Sequence, residues 1–513
     1  MCEVGRSSAC PRGTQTFQAT MQTQPHTSAS TPSYSREDWQ RGYLSQTRES
    51  AYWVEDIEGE IPHDLQGTLF RIGPGLLNIG EYPVRHPFDG DGMACSIAFK
   101  DGRAFFQNRF VRTQGFVEEQ KAGKPLYRGV FGTQKPGGWL ANLFDTRLKN
   151  IANTNIIDWG GKLLALWEAA EPHRLDPKTL ETLGLDRLDG VLGEGDAFSA
   201  HPHIDPASQF DDGKPCLVNF SAKAGLSTTI TIYEFAVDGT LQRQHAHAIP
   251  GFAFLHDMAI TPNYCIFFQN PVTLNPLPYL LGFRGAAECV KFDPNASTKI
   301  VVIPRDGSRD VRILETEPCF VFHHANAWEK DGDIFVDSIC YESFPQVDPD
   351  ADFRDVDFEA IPEGQLWQFR VNLAEERVNH EVIERRCCEF PVLHPQNVGR
   401  ENRYLYMGIA HPERGNAPLQ GVMKIDRETG TRQVWSFAPR GFSGEPAFVP
   451  RPNATAEDDG WLLSLIYDAE HHRSKLAIFE TRSIEAGPIA QLHLKYHIPY
   501  GLHGGFTETY FGD

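Results

Sequence analysis

The sequence predicts an all-β fold, and three observations favour a β-propeller within that class. First, the 513 residues include 45 glycines and 35 prolines spread along the chain, which is typical of many short strands and turns. Second, apolar strands joined by polar turns recur at intervals of roughly 40–60 residues, as the blades of a propeller do. Third, the chain is longer than a β-sandwich normally needs.

The repeated elements are of two kinds. The first kind is a strand, a turn and a second strand, as in "TIYEFAVDGTLQRQHAHAI", "QLWQFRVNLAEERVNHEVI" and "VMKIDRETGTRQVWSF". The second kind begins at a tight turn and continues into an alternating strand, as in "WGGKLLALWEA", "KDGDIFVDSIC" and "DDGWLLSLIYD". Because the inner strands of all blades face one central axis, residues that are distant in the sequence can meet there.

The chain divides into two parts by composition. Residues 1–34 are rich in Ser, Thr and Gln and lack apolar periodicity, so we expect a disordered N-terminal tail. Residues 35–513 contain no linker-like segment and are predicted to form a single β-propeller domain.

Charge and composition exclude several classes of protein. Acidic residues outnumber basic ones by 68 to 48, which gives a formal charge of −20. Nucleic acid is not expected as a partner, because phosphate binding needs clustered Lys and Arg. The ten cysteines show no CxxC spacing and no disulfide framework, and no apolar segment reaches the roughly 18 residues of a membrane-spanning helix. We therefore expect a cytoplasmic protein.

Four of the 19 histidines are flanked by apolar or small residues, as expected for buried rings. They are His201, His256, His323 and His503. Each could simply bond to a backbone carbonyl. Three glutamates in apolar segments favour a shared metal instead, because a buried carboxylate needs a partner and a metal-bound histidine commonly donates its other N–H to a carboxylate. These glutamates are Glu168, Glu389 and Glu445.

Nine segments resemble, in order, the signature blocks of the carotenoid cleavage oxygenases. Within about residues 36–508 they are "LQGTLFRIGPG", "HPFDGDGM", "ALWEA", "SAHPHIDP", "HDMAIT", "FHHANAWE", "CCEFP", "GEPAFVPR" and "PYGLHG". Two more segments, "VRTQGFVEEQKAGKPLYRGVFGTQ" and "LKNIANTNI", resemble the cyanobacterial apocarotenoid 15,15′-oxygenases of that family. The resemblance implies a seven-bladed β-propeller whose helical and loop cap forms a substrate tunnel. It also implies a non-haem Fe(II) on the axis, held by four histidines.

The resemblance assigns roles to these residues. The implied iron ligands are His201, His256, His323 and His503. The glutamates Glu168, Glu389 and Glu445 would orient His256, His323 and His503 respectively. His324 is then a packing neighbour, and His203 matches no functional position. We interpret Asp89 and Asp91, in "HPFDGDGM", as part of a tight turn and not as a metal site.

Further positions match the family's substrate site. Thr154, in "IANTNI", matches a residue whose methyl group lies near an open iron position, although it could also be an ordinary strand threonine. The candidate tunnel walls are Phe131, Trp167, Phe322 and Tyr341, each in or near a matching segment. Core packing is the alternative for all four, because the chain has 34 phenylalanines.

The implied function is cleavage of the 15,15′ double bond of apocarotenals and apocarotenols by O2 to give retinal. The sequence has no P-loop and no GxGxxG after a strand, so electrons would come from the polyene and not from a nucleotide. Two alternatives stay open. The first is a stilbene- or phenylpropanoid-cleaving dioxygenase of the same family, which relies on a Tyr and a Lys to deprotonate a phenol. The second is a non-catalytic propeller that binds retinoids or carotenoids.

Such a substrate has to leave a membrane, and two segments are suited to shallow insertion. They are residues 136–148, "PGGWLANLFDTRL", and residues 271–283, "PVTLNPLPYLLGF". Exposed apolar patches mark interaction surfaces, although ordinary core packing is the alternative here. We expect monotopic attachment to a membrane surface, driven by apolar contact because the net charge is −20.

Overall fold

The computed structural model describes residues 33–225, 227–308, 310–346, 348 and 350–513. The tail expected over residues 1–34 lies outside the described residues, except for its last two positions. The described chain consists mainly of short antiparallel strands, and its longest α-helix has nine residues.

Seven sheets of four or five antiparallel strands form the propeller, and we number them as blades 1 to 7 along the chain. Blade 1 contains Ser50–Trp53, Gly67–Leu76, Asp91–Lys100, Arg103–Phe110 and Gly504–Thr507, and blade 2 contains Asn155–Trp159, Lys162–Leu166, His173–Leu175 and Thr182–Leu185. Blade 3 contains His203–Asp205, Cys216–Lys223, Ser227–Ala236 and Leu241–Pro250, and blade 4 contains Ala259–Ile260, Tyr264–Gln269, Thr298–Pro304 and Arg312–Thr316. Blade 5 contains Phe320–Lys330, Asp333–Tyr341, Gln365–Asn372 and Arg377–Glu384, and blade 6 contains Cys388–Val392, Tyr404–Ala410, Leu419–Asp426 and Arg432–Ser436. Blade 7 contains Gly441–Pro450, Gly460–Asp468, Arg473–Glu480, Ala490–His493 and Ile57–Gly59. The predicted seven-bladed propeller is therefore confirmed.

The remaining elements lie in the connections between these strands. Two-stranded sheets pair Asn78–Ile79 with Tyr82–Pro83 and Val272–Leu274 with Val290–Phe292. The α-helices are Arg36–Arg41, Gln114–Ala122, Trp139–Asn142 and Leu277–Leu280. The 3₁₀ helices are Pro87–Asp89, Leu188–Gly190, Ala287–Cys289, Phe353–Asp355, Phe358–Ala360, Pro395–Asn397 and Ile484–Ala486.

Two terminal strands close the ring of blades. Near the end of the chain, Gly504–Thr507 pairs with Gly67–Leu76 and becomes the inner strand of blade 1. Near its start, Ile57–Gly59 pairs with Ala490–His493 at the outer edge of blade 7. Blades 1 and 7 therefore each combine early and late segments of the chain, and unfolding either one would open the ring.

The apolar core lies between adjacent blades. A separate cluster of buried side chains fills each space between neighbouring sheets around the ring. Phe220 of blade 3, for example, contacts Phe267 of blade 4 edge to face at 5.0 Å between ring centroids. The apolar side chains lie between the sheets. Polar side chains at the ends of the inner strands can therefore project toward the propeller axis.

Two long connections cover the end of the propeller at which the candidate site lies. Residues 111–154 join blades 1 and 2, and residues 270–297 interrupt blade 4 between its second and third strands. Arg128, fully buried, ties the two connections together by donating to the backbone carbonyls of Asp145, Tyr279 and Arg284 at 2.7–2.9 Å. These connections are the expected helical and loop cap.

Blades 3 and 4 are joined by a buried ion pair whose loss should destabilise the fold. Arg305 is fully buried and donates to Glu234 and to Asp205, each at 2.8 Å. Arg305→Ala would leave two buried carboxylates without this partner, so we expect a loss of about 3–5 kcal/mol of stability, measured as a lower thermal unfolding midpoint. The control is Lys330→Ala, because the Lys330–Glu401 pair is exposed and its loss should leave the midpoint close to that of the wild type. Equal midpoints for the two variants would contradict this prediction.

Candidate metal centre

Four histidines from four blades converge where the inner strands meet. His201 and His256 precede the inner strands of blades 3 and 4, His323 lies in the inner strand of blade 5, and His503 directly precedes Gly504–Thr507 of blade 1. One ring nitrogen of each histidine lies within 4.8 Å of the corresponding nitrogens of the others. The structure thus brings together all four histidines that the sequence singled out.

The spacing of these nitrogens suits a shared metal ion. Nε2 of His201 and Nε2 of His503 are 3.1 Å apart. Two nitrogens at about 2.1 Å from one metal would lie about 3.0–3.4 Å apart, depending on the angle between them. These two nitrogens are therefore close enough to bind the same ion.

Three of the four rings are oriented by carboxylates. The hydrogen bonds join Nδ1 of His256 to Glu168 at 2.8 Å, Nδ1 of His323 to Glu389 at 2.7 Å, and Nδ1 of His503 to Glu445 at 2.8 Å. Because an ionised carboxylate can only accept, the proton of each neutral ring lies on Nδ1. The lone pair of Nε2 then faces the other histidines, which is the tautomer a metal ligand requires.

His201 differs from the other three histidines. Its Nδ1 is buried and has no hydrogen-bond partner among the described residues. Nε2 of His323 is likewise buried without a partner. An unpaired buried ring nitrogen is costly, and a metal ion at the centre would satisfy the nitrogen of His323.

Burial and mutual repulsion disfavour protonation of two rings of the cluster. Burial lowers the pKa of His201 well below its ordinary value, and the neighbouring histidines lower it further. Burial also lowers the pKa of His503. For His323 burial acts in the same direction, but the carboxylate of Glu389 outweighs it and raises the pKa to about 9. His201 and His503 therefore stay neutral at pH 7, which is the form in which an imidazole binds a metal.

The orienting carboxylates are themselves held in place. Glu389 accepts a hydrogen bond from the hydroxyl of Tyr341 at 2.9 Å, and Glu445 is paired with Arg71. Burial alone would raise the pKa of Glu445, but Arg71 and His503 lower it below its ordinary value. Both carboxylates therefore stay ionised as acceptors for the ring N–H groups.

The adjacent histidines His323 and His324 face opposite sides of their strand. Successive side chains in a strand alternate, and the pairing of Phe320–Lys330 is irregular at this point. His324 is buried, its Nδ1 lies 2.7 Å from Oγ of Ser338, and its ring contacts Phe268 at 4.9 Å. It lies outside the histidine cluster, in the packing between blades 4 and 5.

Asp89 and Asp91 bond to protein groups, and neither belongs to a metal-ligating cluster found among the described residues. Asp89 accepts hydrogen bonds from the N–H groups of Phe131 and Thr133 at 2.9 and 3.0 Å. Asp91 is paired with Lys149 at 2.6 Å. Asp89 instead anchors the connection that carries Phe131.

A cavity of about 300 Å³ adjoins three of the clustered histidines, His256, His323 and His503. Its lining includes Thr154 and all four of the expected wall residues, Phe131, Trp167, Phe322 and Tyr341. It also includes four aromatic residues that the sequence analysis missed, Phe88, Phe254, Phe344 and Phe390. Phe88 and Phe390 lie within matched segments and could have been selected on that ground, whereas Phe254 and Phe344 carried no comparable signal.

Two further cavities adjoin the central one. A second cavity of about 340 Å³ shares His86, Phe88 and Phe390 with it and is lined by further aromatic residues. An outer cavity of about 400 Å³ shares Arg85 and Glu288 with it. Aromatic side chains therefore line the space beside the histidine cluster.

The two apolar segments of the cap form one exposed surface beside the outer cavity. The N–H of Phe144 donates to the carbonyl of Leu280 at 2.8 Å, and the rings of Trp139 and Phe283 lie 5.6 Å apart. Phe144 and Leu277 are 69% and 61% exposed. Phe283 also lines the outer cavity, so this surface, which we call the apolar rim, borders that cavity. Among the described residues, no helix is sufficiently long and apolar to cross a bilayer.

Fold and site together define a propeller oxygenase with a four-histidine cluster next to an aromatic-lined cavity. The chain belongs to the family of retinal pigment epithelial membrane protein (RPE65), whose model matches residues 43–508. The resemblance to the carotenoid cleavage oxygenases is thereby confirmed.

Individual relatives cover nearly the whole chain. It is 59% identical to the apocarotenoid-15,15′-oxygenase of Synechocystis sp. over 94% of this chain and 99% of that protein. The crystal structure of the cobalt-substituted Synechocystis oxygenase superposes with a TM-score of 0.92 at 59% identity, covering 93% of this chain and all of that one. Isoeugenol monooxygenase of Pseudomonas putida is 31% identical over 88% of this chain and 93% of its own length.

The geometry predicts different effects for the two adjacent histidines. His323→Ala removes a nitrogen that faces the cluster, so we expect it to lose at least tenfold in Co(II) affinity. His324→Ala is the matched control, because its ring lies outside the cluster; it should keep Co(II) and lose only stability through the contact with Ser338. Co(II) content after incubation and gel filtration, with thermal unfolding midpoints, checks both outcomes. Cobalt loss in His324→Ala alone would show that the ligand is assigned to the wrong residue.

Proposed function

We propose that the protein is an Fe(II)-dependent dioxygenase that cleaves the 15,15′ double bond of apocarotenals and apocarotenols with O2 to give retinal. The observation that carries this proposal is the four-histidine cluster next to a cavity with aromatic walls. The 59% identity to a Synechocystis protein named for the same bond supports it.

The donor set supports Fe(II), with His201, His256, His323 and His503 as its ligands. Imidazole suits iron among the first-row metals, whereas a tetrahedral zinc with four histidines would keep no open position. Fe(II) bound here would supply the open positions and the redox chemistry that activate O2 next to the polyene. The overall reaction needs no cosubstrate, because one C=C bond and one O2 become two C=O bonds.

The chain's own residues orient the centre and shape the space around it. Glu168, Glu389 and Glu445 hold three rings in the ligating tautomer.

We assign to Thr154 the role of restricting access to one open coordination position of the iron. Its hydroxyl donates to the side chain of Asn153 at 3.1 Å, and its carbonyl accepts the N–H of His503 at 3.1 Å. Thr154 also lines the central cavity next to His503.

The aromatic walls would position the substrate and exclude water. Phe131, Trp167, Phe322 and Tyr341 are the proposed substrate contacts. The backbone N–H of Phe131 donates to Asp89, and the ring of Phe131 stacks on His86 at 4.9 Å between ring centroids. Tyr341 is held by Glu389, so the same carboxylate orients a wall residue and a proposed ligand. Rigid walls of this kind fix which double bond lies beside the metal.

Cleavage of stilbenes or phenylpropanoids is the alternative reaction, and one relative is named for isoeugenol. That chemistry would need a Tyr and a Lys beside the substrate. Among the described residues, no lysine lines the central cavity. Burial, with the carboxylate of Glu389 nearby, raises the pKa of Tyr341 well above its ordinary value, so this phenol does not act as a base.

A propeller that only binds retinoids is also less well supported, because the histidines and their carboxylates form a complete centre.

We also propose that the apolar rim attaches the enzyme to a membrane surface from the cytoplasm. The rim combines residues from both segments, 136–148 and 271–283, and borders the outer cavity. An apolar substrate could then enter the tunnel without crossing water. The attachment would be peripheral and reversible, since only the side chains of the rim insert.

Turnover tests the proposed reaction. Protein reconstituted anaerobically with Fe(II), then given ¹⁸O2 and a β-apocarotenal, should yield retinal with one labelled oxygen in each of the two aldehydes when they are trapped at once. Zn(II)-loaded protein should be inactive. Resveratrol and isoeugenol serve as competing substrates. An inert apocarotenal together with rapid cleavage of either phenol would replace the proposal with the alternative reaction.

Liposome binding tests the apolar rim. Phe144→Ser with Leu277→Ser removes two of its most exposed side chains, so sedimentation with neutral liposomes should fall at least fivefold, while turnover of detergent-solubilised substrate should stay unchanged. Leu183→Ser with Leu185→Ser is the matched control, because these leucines are 60% and 54% exposed on the outer strand of blade 2. If both double variants bind liposomes like the wild type, the rim is not the attachment site.

A further inference from the structure

Asp257 has an unusual set of partners next to the histidine cluster. It directly follows His256 and is 6% exposed. Its Oδ1 accepts from the N–H of Met258 at 2.7 Å and lies 3.0 Å from Nε2 of His203. Its Oδ2 accepts from the backbone N–H of His324 at 2.8 Å. Because a carboxylate only accepts, the proton of His203 is on Nε2.

These bonds connect the chain segments of three proposed ligands. His203 is two residues after His201 in blade 3, and the N–H of His324 directly follows His323 in blade 5. Asp257 itself lies between them, next to His256 of blade 4. One side chain therefore links three consecutive blades at the positions from which three of the histidines project.

The link matters most for His201. Its ring has no carboxylate on Nδ1, so its placement depends on the chain segment that carries it. Through His203, that segment is bonded to Asp257. His503, by contrast, is held by Glu445 on its ring and by the carbonyl of Thr154 on its backbone.

We infer that Asp257 is a positioning residue for the metal centre, which sets the relative placement of His201, His256 and His323 by hydrogen bonds to His203 and to the backbone of His324. The inference rests on the proposed metal centre. Apolar packing between blades is not directional and tolerates small shifts of one sheet against the next. Directional hydrogen bonds at the inner strands remove that freedom, as metal ligands require placement within about 0.5 Å.

The test uses Co(II) as the probe in the full-length protein, because a relative has been solved with cobalt. Asp257→Ala removes all three bonds, so we expect Co(II) to dissociate at least tenfold faster and its visible absorption bands to change. Asp257→Asn should be intermediate. Its amide oxygen can accept from the N–H of His324, and its amide nitrogen can donate to His203 once that ring moves its proton to Nδ1.

The matched control is Asp205→Asn. Asp205 is equally buried and lies on the same strand as His203, but its partners are Arg305 and Arg400, at 2.8 and 2.9 Å. It should lower the thermal unfolding midpoint of the metal-free protein without changing the Co(II) spectrum or dissociation rate. If Asp257→Ala does not fold, Asp257→Asn and His203→Phe are judged by the same two readouts.

Two results would overturn the inference. One is a wild-type spectrum and dissociation rate in the variants of Asp257 and His203. The other is equally fast cobalt loss in Asp205→Asn, because general loosening of blade 3 would then explain the effect. A different result would show that the proposed metal centre itself is wrong. In that case the wild-type protein would bind Co(II) no better than His323→Ala does.

Discussion

The site depends on one repeated interaction, the hydrogen bond from a histidine Nδ1 to a buried carboxylate. Each bond selects the tautomer of its ring and fixes the ring's direction, and the two partners come from different blades. Closure of the propeller is what brings these partners together. His503 and Glu445 meet where blades 1 and 7 join the two ends of the chain.

Burying carboxylates this close together is unfavourable unless each one is paired, and the surrounding structure supplies the partners. Arg71 offsets the charge of Glu445, and Tyr341 donates to Glu389. These partners do more than compensate for burial. Arg71 also donates to the carbonyl of Leu502, the residue before His503, and Tyr341 forms part of the cavity wall. The same residues therefore compensate charge, place a histidine of the cluster and line the cavity.

The propeller supplies the centre, but its interruptions supply the substrate path. The connections 111–154 and 270–297 cover one end of the ring and carry Phe131, Thr154 and the apolar rim. Buried Arg128 joins the two connections through backbone carbonyls, so the rim and the cavity wall at Phe131 belong to one cap. The strand repeats are irregularly spaced in the sequence because these insertions separate strands that would otherwise follow at regular intervals.

Local patterns in the sequence were sufficient for the all-β class and for the strand–turn–strand units. Seven blades, the four histidines and their three glutamates followed from family blocks, and the structure brings all of these side chains together. Other features could not be predicted from the sequence. The two apolar segments form one surface only through contacts across the cap. The roles proposed for His203 and Asp257 depend on hydrogen bonds between blades. Alternation within a strand is local and therefore visible in a sequence, whereas a contact between blades exists only once the separate blades have packed against each other.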